Sequence, residues 1–216
     1  MPIARKVVGS AGTVSLDEKS ARTLARARIS RIIADRDESL RRTIRNLPKK
    51  RHAWLRAIQR SVSLILGESL LLAGATNRQV LFVCLDPVDD RPGWLEMTCY
   101  LCRFDREPES VTVALLSAHA IAQLMVRRRD VDPIAILKSE ILKWTLLRLM
   151  DTEREPYAIL PTETGYFTMG IDEELGIYVF TTWLANRQLT DREQRILAML
   201  RKEERLGFSE KLADVV

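Results

Sequence analysis

Histidine and cysteine, the residues most often used for metal binding and nucleophilic catalysis, are scarce in this sequence. The 216 residues include two histidines, His52 and His119, which lie far apart in the chain. The sequence contains no H-E-x-x-H, no G-x-S-x-G and no Gly-rich phosphate loop. These absences argue against a histidine-rich metal site, and we predict neither a bound metal nor a cofactor.

The three cysteines, Cys84, Cys99 and Cys102, are too few for a disulfide framework and fit a reducing compartment. Cys99 and Cys102 form a C-x-x-C within a predicted strand. Residues three apart in a strand point to opposite faces, so these sulfurs would not share a zinc ion, and we expect core thiols. A cysteine-dependent enzyme that uses His119 stays open only if Cys99 or Cys102 lies on an exposed turn.

Long apolar runs are also missing. No run approaches the roughly 20 residues that a membrane-spanning helix needs, and Gly67, Glu68 and Gly74 interrupt the longest one. The first residues lack the apolar core of a secretory signal. With 46% hydrophobic and 29% charged residues, the composition is that of a folded soluble protein. We therefore predict a cytoplasmic protein without a membrane partner.

Charge is distributed unevenly along the chain. Residues 1–60 hold 16 Lys+Arg and 5 Asp+Glu, a net charge of +11. Of the chain's 34 basic and 29 acidic residues, 18 and 24 remain for residues 61–216, a net charge of −6. A basic segment followed by an acidic body indicates either a polyanionic partner such as RNA or docking of the basic segment on the body.

Helices are predicted in the first part of the chain, after a flexible N-terminus at residues 1–14. The run Ser15-Leu16-Asp17-Glu18 has capping-box spacing and predicts one helix to about Asn46, which Leu47-Pro48 ends. A second helix is predicted from Lys49 towards Ala73. Together they form a basic helical lobe at 15–74, ahead of an α+β body at 75–216 that could share one domain with it.

The body alternates strands with helices. Apolar runs between turn-forming residues predict strands at about 79–85, 94–102, 110–116, 157–160, 165–170 and 176–184. Helices are predicted from Ser117 to Arg129, from Asp132-Pro133 to about Met150, and from Thr190 to near Gly207. The predicted class is α+β, with a basic helical N-terminal lobe, two small antiparallel β-meanders, and helices between and after them.

Three sets of side chains are candidates for function. In the predicted helix at 117–129, Gln123 lies one turn beyond His119, and Arg127 lies about two turns beyond it. A histidine beside a guanidinium suits metal-free phosphodiester cleavage, because one group moves a proton and the other holds the phosphate. The alternative without a catalytic role is that His119 is a partly buried packing residue, next to the basic end of its helix.

The second set is basic. Its members are Arg41, Arg42, Arg45, Lys49, Lys50, Arg51 and Arg128. In one interpretation they form a surface that contacts nucleic acid or a partner protein. In the other they are a helical face whose charges are simply solvated. Charge reversal at Arg41, Arg42, Lys49 and Lys50 would distinguish the two interpretations.

The last predicted strand offers hydroxyl groups. Simple alternation places Tyr178, Phe180 and Thr182 on one face of it and Ile177, Val179, Thr181 and Trp183 on the other. Only one of these faces can line a site, and most of the aromatic side chains are expected in the core.

Residues 115–200 resemble a known superfamily. A helical histidine followed by Arg127, a second helix and a meander that ends in Val179-Phe180-Thr181-Thr182-Trp183 resembles the barnase/EndoU/colicin/RelE-like ribonuclease toxins. The resemblance implies a sheet that holds RNA. It also implies that His119 is the general acid or base, that Arg127 binds phosphate, and that Thr181 or Thr182 and Tyr166 or Tyr178 give supporting hydrogen bonds.

The sequence thus favours a metal-independent ribonuclease-like bacterial toxin or effector that acts on RNA. The alternative is a non-enzymatic interaction protein of immunity or adaptor type, whose basic helices bind an acidic partner, a cognate protein or nucleic acid. The enzyme hypothesis requires that His119 faces water beside a guanidinium.

Overall fold

The computed structural model describes residues 16–32, 36–48, 50–75, 79–104, 106–141 and 157–191, together with 194, 195, 198, 199 and 202. The helices are α1 Glu18–Ile29, α2 Arg36–Arg45, α3 Arg51–Leu66, α4 Ala118–Arg128 and α5 Pro133–Glu140. The strands are β1 Leu70–Ala75, β2 Gln79–Pro87, β3 Leu95–Arg103, β4 Glu109–Leu116, β5 Tyr157–Pro161, β6 Gly165–Asp172 and β7 Ile177–Ala185. The protein is therefore of the predicted α+β class. The N-terminal segment 1–14 lies outside the described residues.

The seven strands form one mixed sheet in the order β1-β2-β3-β4-β7-β6-β5. The two predicted meanders are its two antiparallel halves, joined by parallel pairing of β4 with β7. In that pair Ala114 lies opposite Tyr178 and Leu116 opposite Phe180. Parallel strands need a long crossover, and the connection from β4 to β7 includes α4, α5, β5 and β6. No local pattern in the sequence marks this junction.

The predicted C-terminal end of the second helix is wrong. Instead of continuing towards Ala73, α3 ends at Leu66, followed by Gly67 with φ 49°. Residues Leu70–Ala75 form the edge strand β1, paired antiparallel with β2. An apolar run of this kind fits a buried helix or a strand equally well, and here the pairing with β2 decides.

The prediction of a single helix over residues 15–46 is also wrong, because the structure has two helices there, α1 and α2. Its first part, α1, begins after Asp17, whose side chain accepts a hydrogen bond from the Ser20 amide at 2.7 Å. It ends at Ile29, and α2 begins at Arg36. The predicted cap Ser15 lies outside the described residues. The division lets the two parts pack on opposite faces of the sheet.

Hydrophobic side chains are buried on both faces of the sheet. The main core lies under α1, α4 and α5 and includes Phe167, Phe180 and Trp183. The second core lies between α2, α3 and strands β2 and β3, and it includes Phe82 and Trp54. The helices of the predicted basic lobe therefore cover both faces.

The two helix starts predicted around α4 and α5 are confirmed. Ser117 caps α4 by accepting from the Ala120 amide at 3.1 Å. Asp132 caps α5 by accepting from the Ile134 amide at 3.0 Å, with Pro133 in the first turn. The segment 142–156 and most of the predicted helix after Thr190 lie outside the described residues. Within the described part of the chain, every helix is too short or too polar to cross a membrane.

Candidate functional site

The candidate site lies along the seam where α1 packs against α4. Ala21 and Ala25 of α1 are almost completely buried there, and these small side chains let the helices approach closely. Polar residues one helical turn apart line the open side of this seam, Glu18 and Arg22 on α1 and His119 and Gln123 on α4. We call these four residues the seam cluster.

The Glu18 carboxylate is the centre of the seam cluster. Its Oε1 lies 2.9 Å from Nδ1 of His119, and its Oε2 accepts a hydrogen bond from Nε2 of Gln123 at 2.7 Å. Arg22 forms an ion pair with the same carboxylate. Glu18 thereby ties α1 to α4 and fixes the orientation of the imidazole.

The Nδ1 atom of His119 also lies 3.0 Å from Nη2 of Arg22. A guanidinium only donates hydrogen bonds and a carboxylate only accepts them. Protonated Nδ1 therefore donates to Glu18, whereas unprotonated Nδ1 accepts from Arg22. The imidazole has a partner in either tautomer, an arrangement that suits proton transfer.

All three charged members of the seam cluster contact solvent. The exposed fraction of the side chain is 42% for His119, 38% for Glu18 and 51% for Arg22. Nε2 of His119 has no hydrogen-bond partner within the described residues and is free to act on a ligand. The hydrogen bond with His119 and that with Arg22 lower the pKa of Glu18, which keeps this carboxylate charged.

Arg127 lies beyond the seam cluster on α4. Burial lowers the pKa of Arg127, whereas the charge of Glu18 and the nearby Tyr166 raise it. Its Nη1 atom is buried and has no hydrogen-bond partner among the described residues. Buried donors in proteins almost always have an acceptor. A bound anion would be an acceptor for Nη1 of Arg127. Arg127 follows His119 by about two turns of the same helix, α4.

The hydroxyl residues predicted to support the site lie on β7 as expected, but they do not join the seam cluster. Tyr178 is only 3% exposed and belongs to the main core. A β-bulge places Thr182, rather than Thr181, opposite Thr168, while Phe180 lies opposite Met169. Because Phe180 and Trp183 both point into the main core, Thr181 and Thr182 point to the other face, away from α4. The prediction that Tyr178 and Thr182 share a face is therefore wrong.

The three candidates on α2 all have partners within the chain. Arg41 donates to the Pro108 carbonyl at 3.3 Å, and Arg45 pairs with Glu107 at 3.1 Å. Arg42 lies 3.8 Å from Glu38, within its own helix. The contacts of Arg41 and Arg45, with the Arg28–Glu68 ion pair, support docking of the basic segment on the acidic body.

Four further candidates complete the basic set. Arg128 pairs with the buried Glu140 at 3.1 Å and therefore has a structural partner. Lys50 is exposed before α3, where it is the N-cap residue. Lys49 and the Arg51 side chain lie outside the described residues.

The cysteines do not form a site. Cys99 is buried in the main core and Cys102 in the second core, so the two sulfurs point to opposite faces as predicted. Burial raises the pKa of Cys99 to about 11 and that of Cys102 to about 12. Both thiols stay protonated at neutral pH, which argues against a cysteine nucleophile. Among the described residues, no three His, Cys, Asp or Glu side chains form a group that could hold a metal ion.

Comparison of the chain with protein-family models, with curated proteins and with solved structures finds no match. The site must therefore be interpreted from its own geometry. Sequence reasoning found His119, Gln123 and Arg127 from their spacing on one helix. It missed the roles of Glu18 and Arg22, for which capping-box spacing and an i,i+4 ion pair were the only local signals.

Proposed function

We propose that this protein is a metal-independent ribonuclease-like enzyme, a bacterial toxin or effector that acts on RNA in the cytoplasm. The observation that carries the proposal is the half-exposed imidazole of His119, held within 3.0 Å of both a carboxylate and a guanidinium. The resemblance of residues 115–200 to ribonuclease toxins agrees with this chemistry.

The proposed reaction uses RNA's own 2′-hydroxyl as the nucleophile. The 2′-oxygen attacks the adjacent phosphorus and loses its proton to a base, while the bond from phosphorus to the 5′-oxygen breaks and that oxygen gains a proton. The products are a 2′,3′-cyclic phosphate and a 5′-hydroxyl. Nε2 of His119 accepts the proton of the 2′-hydroxyl in this scheme, and the protonated imidazole then gives that proton to the leaving 5′-oxygen. Glu18 holds Nδ1 and stabilises the protonated imidazole, as the carboxylate of a catalytic triad does.

Two guanidiniums supply positive charge for the phosphate. Arg22 is half exposed and lies against the imidazole, so it can move from Glu18 to a phosphate oxygen. Nη1 of Arg127, which has no hydrogen-bond partner among the described residues, is the second donor in this scheme. Hydrogen bonds from such donors stabilise the charge that accumulates on the phosphate oxygens in the transition state.

The test compares the chain's two histidines. Purified protein is incubated with 5′-labelled RNA in excess EDTA, and the products are examined for a 2′,3′-cyclic phosphate. We expect His119→Ala to lower the cleavage rate by about 10²–10⁴-fold, the usual contribution of an acid–base group. His52→Ala, which changes an exposed residue of α3, is the matched control and retains the rate.

The same pair of variants is tested in cells. Expression of the wild-type chain stops growth, His119→Ala relieves the arrest, and His52→Ala does not. The proposal is rejected if His119→Ala cleaves RNA or arrests growth as well as the wild type does, or if EDTA abolishes cleavage.

One observation favours the non-enzymatic alternative. The exposed side of α3 carries Arg56 and Arg60, and Lys50 precedes them, with no ion pair to these cations among the described residues. Such a row of cations fits a polyanion. Under this alternative, labelled RNA is bound without cleavage, affinity falls steeply with salt, and the double change Arg56→Glu and Arg60→Glu weakens binding more than Arg42→Glu does.

A further inference from the structure

A second surface, on the opposite face of the sheet from the seam cluster, has the geometry of a ligand groove. It has a volume of about 480 Å³ and runs over strands β3, β4 and β7. Its floor includes Glu96, Leu115 and Ile177. Each of these residues alternates with neighbours that point into the main core, so their side chains point the other way. We call this surface the sheet groove.

The sheet groove combines one exposed apolar side chain with two buried ones. Leu175, in the turn between β6 and β7, is 58% exposed. Leu115 and Ile177 on the floor are buried but belong to neither of the two cores. Val111 borders the groove, but it lies opposite Cys99 of the main core, so its side chain points to that other face of the sheet.

The floor of the sheet groove carries a negative charge, that of Glu96, with no cation partner in the described part of the chain. Glu96 lies directly opposite Asp86 in the pairing of β2 with β3, and like charges in this position repel each other. Among the described residues, the Glu96 carboxylate accepts only from the hydroxyls of Thr98 and Thr112, at 3.4 Å each. Burial and the charges of Asp86 and Asp89 raise the pKa of Glu96, as expected of a carboxylate that lacks a cation.

The remaining charges of the sheet groove do not neutralise Glu96. Among the described residues, Arg91 is the only cation that lines it, and its guanidinium lies 3.9 Å from Asp172 and 5.1 Å from the centre of the Trp94 ring. Asp90 and Glu174 line the groove as well and add two negative charges. An anionic ligand, including nucleic acid, is therefore repelled, whereas a cation is attracted.

We propose that the sheet groove binds a short apolar segment of a partner protein, and that a lysine or arginine of this segment pairs with Glu96. The aliphatic stem of such a side chain would cover Leu115 and Ile177, while its charged end would relieve the repulsion between Glu96 and Asp86. The open shape and the exposed Leu175 on the rim fit a neighbouring apolar side chain of the same segment.

The probe is an acetylated and amidated tetrapeptide of isoleucine, lysine, valine and leucine, titrated into the full-length protein and followed by NMR. We expect shifts at Glu96, Thr112 and Ile177. The peptide in which norleucine replaces lysine keeps the stem but lacks the charge, and it should bind about tenfold more weakly, the magnitude of a charged hydrogen bond.

Protein variants test the same contact from the other side. Glu96→Gln removes a repulsive charge, so it should fold at least as stably as the wild type and yet bind the lysine peptide about tenfold more weakly. Glu174→Gln should weaken binding, whereas Glu173→Gln, in the same turn but outside the groove, is the matched control. RNA cleavage should be unchanged in all three variants.

The proposal is overturned by equal binding of the lysine and norleucine peptides, by wild-type affinity in Glu96→Gln, or by absence of binding. Shifts confined to α1 and α4 would also reject it. If the protein instead forms a dimer in sedimentation experiments and Glu96→Gln dissociates it, the occupant is a second copy of this chain and the partner assignment is wrong.

Discussion

Glu140 is a carboxylate with no exposed surface, and it organises the turn between β5 and β6. It accepts hydrogen bonds from the Thr162 hydroxyl at 2.8 Å, the Thr164 amide at 3.0 Å and the Thr164 hydroxyl at 2.6 Å. Arg128 pairs with it at 3.1 Å, and Trp183 donates to Thr162 at 3.2 Å. The buried charge is thus fully paired, which is the condition for a stable buried carboxylate.

Glu140→Gln should destabilise the protein by about 2–4 kcal/mol, because the amide cannot accept all of these hydrogen bonds and leaves Arg128 without its carboxylate. Urea unfolding measures the change. The control is Glu163→Gln, at an exposed position in the same turn, which should change the stability by less than about 0.5 kcal/mol. Equal stabilities of the two variants would show that the buried network contributes little.

Glu18 gives a prediction about pH. The hydrogen bond with His119 lowers its pKa in the folded protein below the usual value of 4.5, while the unfolded chain keeps the usual value. The folded state therefore binds the proton less tightly, so this interaction stabilises it above about pH 4.5 and is lost as the pH falls through the lowered pKa.

Glu18→Gln should consequently flatten the acid side of the stability curve, so that less stability is lost between about pH 5 and pH 3 than in the wild type. Urea midpoints across this range measure the effect, with Glu173→Gln as an exposed control. Parallel curves for the wild type and Glu18→Gln would contradict the pairing of Glu18 with His119. The same variant should slow RNA cleavage if Glu18 positions the imidazole.

At the scale of elements, Gly67 separates α3 from the strand that the sequence analysis missed. Its φ of 49° and ψ of −118° lie in a region that residues with a side chain rarely adopt. A Cβ atom added here would meet no atom within 4 Å, so the cost of a side chain is backbone strain alone.

Gly67→Ala should therefore destabilise the protein by about 1–3 kcal/mol, the usual cost of a strained backbone. Gly74→Ala in β1 is the matched control, because its added Cβ also meets no atom within 4 Å and its φ is not positive. We expect this control to stay within about 0.5 kcal/mol of the wild type. A neutral effect of Gly67→Ala in thermal unfolding would mean that α3 can end in another way.

Elements with strong local signals were predicted correctly, and elements without them were not. Ser117 and Asp132-Pro133 begin their helices as expected, because a cap depends on neighbours within three residues. The break between α1 and α2 was missed, because no proline or glycine marks it in the sequence. The bulge in β7 was missed for the same reason, and it moved Thr182 off the predicted face.

At the scale of the whole molecule, the sheet separates two cores, and the cysteines lie in both of them. Cys99 belongs to the main core, and Cys84 and Cys102 belong to the second core. Their burial and the raised pKa values of Cys99 and Cys102 protect all three thiols from alkylation.

The native protein should therefore react with no thiol reagent over hours, whereas all three cysteines should react in about 6 M guanidinium chloride, where the cores are unfolded. A colorimetric thiol assay counts the reactive groups. Iodoacetamide should leave RNA cleavage unchanged, with a sample alkylated after unfolding as the positive control. Rapid modification of a native cysteine together with loss of cleavage would restore the cysteine-enzyme hypothesis.

The sequence by itself determined the α+β class, the strands of both meanders, the caps of α4 and α5, and the spacing of His119, Gln123 and Arg127 along one helix. Each of these follows from the 2.0 or 3.6 residue period or from contacts within one turn. Only the tertiary structure decided that β4 pairs with β7 and that Glu18 reaches His119 across 101 positions of the chain. Such contacts depend on how helices and strands pack together, and that packing is a property of the whole chain that no local pattern encodes.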